Sequence, residues 1–251
     1  MSPMRIAVTS DLHFDVTPQN RQLVLYLFDE MKRQSPDALV LAGDLANPLA
    51  GWGEVLRHFQ PLPFLKLVVP GTAGTISRSA IFDLTRTSGM TNTSEGTLAD
   101  ANGSIQVWND TRYAAWLRDP HSNDWRKRRH RLTAREVCTN LTNALEPDCL
   151  KIAGDVTKFV VAIHTNPFRN CITPRTPPGP FDAFEGSVRL GELMVRRGAN
   201  HKVMCVCGHR YQPLDIIESG IRAVRAPVGY LDRFKGDYEA LAAEVVRVLD
   251  V

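Results

Sequence analysis

Long apolar runs are missing from this chain. No stretch approaches the ~20 residues that a membrane-spanning helix needs, and the first residues hold no basic segment followed by an apolar core. Cysteine is sparse and odd in number: Cys138, Cys149, Cys171, Cys205 and Cys207 follow no regular spacing, which argues against a disulfide framework and for a reducing compartment. Charge of one sign is hardly in excess. A net +3 over 251 residues does not by itself indicate a nucleic-acid binder. No internal repeat occurs at solenoid periods. These absences lead to the expectation of a soluble, cytoplasmic protein with no membrane association and an oligomeric state that the sequence leaves open.

What the chain does hold is a succession of short apolar strands, each ending in a polar residue. Arg5–Thr9 reads as the first, followed at once by Asp11-Leu12-His13. On an extended segment residues i and i+2 point the same way, so Asp11 and His13 are expected to converge on one atom. Thr17-Pro18 supplies an N-cap and first helical residue, and Leu23, Leu27 and Met31, with Val24 and Phe28, form an apolar stripe at helical spacing. That helix ends near Ser35-Pro36. Ala38–Ala42 then reads as a buried strand running into Gly43-Asp44. Strand, helix and strand with short connections imply parallel neighbours, which brings Asp44 to the same edge as Asp11. Ligands in open α/β sheets gather at that carboxyl edge.

A short helix is expected over 53–60 and a strand over 64–69, ending in the turn Pro70-Gly71-Thr72-Ala73-Gly74. From 77 to 104 the apolar pattern thins into Ser, Thr, Asn and Gly, the composition of a mobile excursion. Strands are expected at 105–108 and 112–117, and a helix from the capping box Thr133-Ala-Arg-Glu136. The strand at 159–163 ends in His164. A Pro/Gly-rich loop fills 165–186, a helix 190–197, and a strand at 203–207 delivers Gly208-His209. Segments 214–217 and 221–224 pair as a hairpin, and 237–249 closes the chain as an amphipathic helix. The basic run 126–131 reads as a solvated surface segment in preference to a nucleic-acid track. Cys205 and Cys207, on one strand face, read as core thiols in preference to metal ligands. Arg169, Arg175 and Arg210 are as readily surface residues as clamps on a phosphate.

Asp11, His13, Asp44, His164 and His209 thus stand at successive strand ends, an O/N donor set suited to a metal of borderline hardness. With Gly43-Asp44, the turn at Gly71, His164 followed by Asn166-Pro167-Phe168, Gly208-His209 and Pro227-Val-Gly-Tyr230, the chain resembles the calcineurin-like metallophosphoesterases over most of its length. The resemblance implies an α/β fold of two mixed β-sheets packed as a sandwich flanked by helices, one domain over 1–251. It implies one or two metal ions (Mn, Fe or Zn) and a small phosphate-ester substrate, a phosphomonoester or phosphodiester. Asp11 and His13 would hold the first metal, Asp44 would bridge, and His164 and His209 would hold the second. Asp44, His164 and His209 are accordingly the expected catalytic positions.

Two motifs depart from the family. Its third motif, Gly-Asn-His, reads Gly71-Thr72-Ala73 here, which leaves Thr72 as a poorer ligand and Ala73 with neither ligand nor acid. Its fifth, Gly-His-x-His, reads Gly208-His209-Arg210-Tyr211, so a metal ligand is lost unless Tyr211 serves as a phenolate on a ferric ion. Partial metal occupancy is expected. Two classes of function follow: a metal-dependent phosphoesterase with a weakened or altered site, and a catalytically impaired relative acting as a binding or regulatory protein. The persistence of the five donors favours the first.

Overall fold

The computed structural model describes residues 3–46, 49–69, 80–83, 90–92, 156–172 and 186–251, with parts of 142–149. Among the described residues two β-sheets are formed. One has four strands in the order β10-β1-β2-β3: β1 (Arg5–Thr9), β2 (Ala38–Ala42) and β3 (Leu65–Val69) run parallel, with β10 (Arg247–Asp250) antiparallel to β1. The other has six, in the order β5-β4-β6-β7-β9-β8: β4 (Ala80–Asp83), β5 (Met90–Asn92), β6 (Lys158–Ala162), β7 (Lys202–Cys207), β8 (Leu214–Glu218) and β9 (Ile221–Arg225). Here β6, β7 and β9 are parallel, and β4, β5 and β8 are attached antiparallel. Helix α1 spans Pro18–Gln34, α2 Leu49–Phe59, α3 Val188–Gly198 and α4 Tyr238–Val245.

The period-two pattern of the strands divides the core into three layers. Ile6, Val8, Ala38, Val40 and Ala42 from one sheet meet Val160, Ala162, Met204, Val206 and Val224 from the other. On the outer face of the first sheet, Ala7, Leu39 and Leu41 pack against Leu23, Leu27 and Met31 of α1, with α2 and α4 alongside. Val161, Val203 and Cys205 meet Leu190, Leu193 and Met194 of α3 on the outer face of the second. Burying each such aliphatic side chain contributes about 1.5–3 kcal/mol relative to exposure. A two-sheet α/β sandwich with flanking helices is the architecture the family resemblance implied.

Local signals hold at α1. The Thr17 hydroxyl accepts from the Asn20 N–H, Pro18 opens the helix, and Ser35 ends it in the left-handed conformation, donating its N–H to Met31 O. The closing helix does not extend as expected. It stops at Val245, and Arg247–Asp250 is a strand on the edge of the first sheet. Val246 and Val248 pack into the layer beneath the helices while Leu249 faces the layer between the sheets, the alternation of a strand, and the open edge of β1 supplies its backbone partners. Helix α2 begins at Leu49, ahead of the expected start at Gly53. β4 and β5 fall inside the span 77–104. The rest of that span, the candidate strands at 105–108 and 112–117, the capping box at Thr133, the basic run 126–131 and the third-motif turn 70–74 lie outside the described residues.

Candidate metal centre

Both sheets deliver polar side chains to one end of the sandwich. Asp11, His13 and Asp44 follow β1 and β2 of the first sheet, and His164 and His209 follow β6 and β7 of the second. All are buried, His209 the least so at 7% exposed. Two groups of potential metal ligands result: Asp11, His13 and Asp44, and Asp44, His164 and His209. In each group the ligand atoms lie within 4.8 Å of one another, and Asp44 belongs to both.

The convergence of Asp11 with His13 has a different cause from the one expected. Neither residue is extended: Asp11 has φ 55° and His13 φ 46°, and Asp44 (48°) and His209 (72°) share the left-handed region. Such conformations are uncommon outside glycine and persist only where the surroundings enforce them. Here a backbone ladder between the loops does so. Asp11 N–H donates to Gly43 O at 2.9 Å, His13 N–H to Asp44 O at 3.0 Å, and Gly208 N–H to His164 O at 2.9 Å. The two motif glycines are dictated by the same crowding. A Cβ on Gly43, which sits at φ 91°, would fall 2.2 Å from His164 Nδ1. One on Gly208 would fall 2.5 Å from Ala42 O and 2.9 Å from both Asp11 Oδ2 and His164 Nδ1.

Hydrogen bonds orient the donors. Asp11 accepts from the Ser10 hydroxyl at 2.6 Å and from the His209 N–H at 3.0 Å. His164 donates Nδ1–H to Ala42 O at 2.9 Å, which fixes its tautomer and leaves Nε2 facing Asp44 Oδ2 at 3.4 Å. His13 Nε2 is buried with no hydrogen-bond partner among the described residues. A buried ring nitrogen beside two carboxylates, with its lone pair uncommitted, fits a metal ion and is otherwise costly.

Charge is poised in this buried cluster. Burial, together with the nearby Asp44 carboxylate, raises Asp11 to about 7 despite the opposing pull of His164. Burial depresses His164, but Asp44 and Asp11 outweigh it and lift the imidazole to about 9. Burial and the charge on His164 push His209 down to about 3. Burial lowers His13 as well. Removing protons from Asp11 and His164 therefore calls for a replacement positive charge in the cluster.

Tyr211 and Tyr230 line the approach beside His13. The Tyr230 ring stacks on the imidazole at 4.5 Å, and Tyr211 meets it edge-on at 5.5 Å. Burial and a hydrogen bond with Tyr230 push the Tyr211 phenol well above its ordinary range, so it stands as a neutral hydroxyl. Arg210 is close enough to act on His209, whereas Arg169 lies exposed on a short 3-10 turn. Arg175 and Thr72 lie outside the described residues. Cys205 and Cys207 sit in the core as expected, and burial raises the Cys207 thiol to about 12.

The calcineurin-like phosphoesterase family model matches residues 4–71, the stretch that carries Asp11, His13 and Asp44. The fold is similar to that of a phosphopantetheinyl hydrolase from Mycobacterium tuberculosis, with a TM-score of 0.59 and 16% identity over 99% of this chain and 96% of that one. Residues 4–71 thus match the calcineurin-like phosphoesterase family, and the chain as a whole shares the fold. A dimetal phosphatase from Danio rerio shares the fold at a TM-score of 0.51 and 10% identity, over 90% of this chain and 87% of that one. No curated protein matches the chain by sequence. That family is one of metal-dependent phosphate-ester hydrolases, and the match to it implies divalent metal ions.

Sequence reasoning passed over the buried polar side chains that brace this candidate centre. Asn20 donates to Leu12 O and Gly229 O at 2.8 and 2.7 Å and accepts from Leu231 N–H, tying the Asp11–His13 loop to the segment bearing Tyr230. Arg225 and Asn166 do the equivalent beneath His164 and His209. Arg225 had a signal in the sequence: it shares the phase of Ile221 and Ala223, both core residues, in Ile221-Arg-Ala-Val-Arg225.

Proposed function

We propose that this chain is a metal-dependent phosphoesterase acting on a small phosphate ester, with Asp11, His13, Asp44, His164 and His209 as its metal ligands. One observation carries the reading: two buried donor groups, one mainly from each sheet, share Asp44. Ions held there would polarise the phosphoryl group and make water nucleophilic near neutral pH. The residues supply the rest. Ser10 and the His209 N–H fix the Asp11 carboxylate, Ala42 O fixes the His164 tautomer, and Asp44 couples the two groups. Arg210, beside His209, is placed to attract an anionic ester.

The test is elemental analysis of the purified protein together with hydrolysis of aryl phosphate monoesters, aryl phosphate diesters and a phosphopantetheinyl ester, with and without Mn²⁺. Partial metal content and Mn²⁺-stimulated hydrolysis of one ester class are expected. A protein that takes up no metal and hydrolyses none of them would overturn the reading.

A second reading is favoured by one observation. Tyr211 occupies the place of the fifth motif's final His and is engaged with Tyr230 as a neutral phenol. With Thr72 and Ala73 replacing the Asn and His of the third motif, the chain would then bind a ligand without turning it over. The triple variant Thr72→Asn, Ala73→His, Tyr211→His separates the two readings. A degraded hydrolytic site should gain at least ~10²-fold on an activated diester, because general acid catalysis alone typically contributes ~10²–10⁴-fold. A folded, metal-loaded triple variant that remains inactive favours the binding protein.

A further inference from the structure

Arg225 is the largest fully buried side chain of the described residues, 2% exposed at the carboxyl end of β9. Its guanidinium meets no carboxylate among the described residues. Instead Nε donates to Gln212 O at 2.7 Å, and Nη1 donates to Cys171 O at 3.1 Å and to Asn166 Oδ1. These acceptors lie on separate loops. Asn166 is two residues beyond His164, Gln212 three beyond His209, and Cys171 ends the 3-10 turn Arg169–Cys171. Asn166 is itself fully buried, accepts the Ser187 N–H on its own carbonyl and faces the Cys207 thiol.

A guanidinium in such a place is expensive. Burial disfavours its charge, and replacing a buried ionic group by apolar side chains of similar volume is commonly neutral or stabilising. A packing role in phase with Ile221 and Ala223 would be filled as well by methionine. What methionine cannot supply is a rigid fork with donors directed at several acceptors at once. Those acceptors are the backbones and side chain that carry two of the proposed ligands.

We infer that Arg225 is a positioning residue, whose guanidinium clamps the loops bearing His164 and His209 and so sets the second donor group, Asp44, His164 and His209. The inference rests on the metal-centre reading above, but its geometry can be tested without metal. The first group has its own brace in Asn20 and meets the clamped loop only through the His209 N–H on Asp11 and the Tyr211 edge on His13, so it should respond less than the second.

The experiment compares the parent with Arg225→Met, Arg225→Lys and a control on the same strand as Arg225, Arg222→Met, which breaks an exposed ion pair with Asp215 of β8. Imidazole nitrogen resonances are recorded on the metal-free proteins, and Co²⁺ uptake is followed by visible absorption. In Arg225→Met the His164 and His209 resonances should shift and broaden, and those of His13, which meets the clamped loop only at the Tyr211 edge, should move distinctly less. One class of Co²⁺ site should weaken about 10–100-fold, the usual range for losing a group that orients a ligand. Arg225→Lys keeps the charge without the fork and should give an intermediate loss, and it decides the matter if the methionine variant does not fold. The control should match the parent.

Unchanged His164 and His209 resonances in a folded Arg225 variant would overturn the inference. So would equal disturbance of His13, or the same disturbance in the control, since either marks a general structural effect. Should the parent bind no Co²⁺ while the imidazole response appears as described, the positioning role stands and the metal-centre reading falls.

Discussion

Asp44 is the one side chain common to both donor groups, and its neighbours explain why a single carboxylate carries that burden. It projects from the first sheet toward His164 of the second, so it is the link through which the two sheets' donors meet. Asp44→Asn is therefore expected to lower metal content at both sites and cost at least ~10-fold more activity than His209→Ala, since a removed ligand affects each ion it touches. Equal losses in the two variants, by elemental analysis and turnover, would speak against a shared ligand. Gly43 is constrained from two directions, by its φ of 91° and by the 2.2 Å approach that a Cβ would make to His164. Gly43→Ala should destabilise the fold by more than ~1 kcal/mol and displace His164, measurable as a lower melting temperature together with weaker metal uptake. A variant melting with the parent would mean that the loop has room to relax.

At the scale of elements, α1 does two jobs. Its first turn is capped by Thr17, and the same turn places Asn20 against Leu12, Gly229 and Leu231. Thr17→Ala should cost about 1 kcal/mol in chemical denaturation, the ordinary value of an N-cap, and more than that would show that the cap also holds Asn20 in place. The last strand bears a different kind of prediction. Because β10 pairs with β1 along Arg5–Val8, the amides of its paired residues should exchange as slowly as those of β1. Fast exchange graded toward the C-terminus, as in a fraying helix, would return the segment to the conformation that its hydrophobic pattern alone suggested.

For the whole molecule, the buried cluster is expected to tie stability to pH and, on the proposed function, to metal. A carboxyl raised from 3.8 to about 7 stabilises the protonated folded state, and that contribution is lost as the pH rises through 7. An imidazole raised from 6.5 to about 9 is stabilising below 6.5, and its contribution is lost as the pH rises through 9. His209, depressed to about 3, acts the other way, but only below 6.5. Between pH 6.5 and 9 the surviving effects thus have one sign, with each pKa unit worth about 1.4 kcal/mol. The metal-free protein should melt progressively lower across that window. The increment produced by Mn²⁺ should grow across it, because the ion replaces protons that the cluster no longer holds. A metal-free melting temperature that rises from pH 6.5 to 9 would show that Asp11 and His164 are not the groups that titrate.

Local chemistry by itself determined a great deal of this protein. The strand β2, the bounds and cap of α1, the β8–β9 hairpin and the donors at the strand ends were all legible, because each depends on neighbours within a few residues: a side-chain period, a cap, a turn. The motif resemblance extended that to the two-sheet architecture. Tertiary structure alone decided three things. β10 is a strand because an open edge of β1 stands beside it, a partner more than two hundred positions away in sequence. Asp11 and His13 converge through left-handed backbone held by loops from β2, whereas sequence spacing suggested an extended segment. And the braces, Asn20 beneath one donor group and Arg225 with Asn166 beneath the other, have polar side chains whose partners no local pattern announces, even where strand phase points Arg225 inward, since what satisfies them is the meeting of loops from distant parts of the chain.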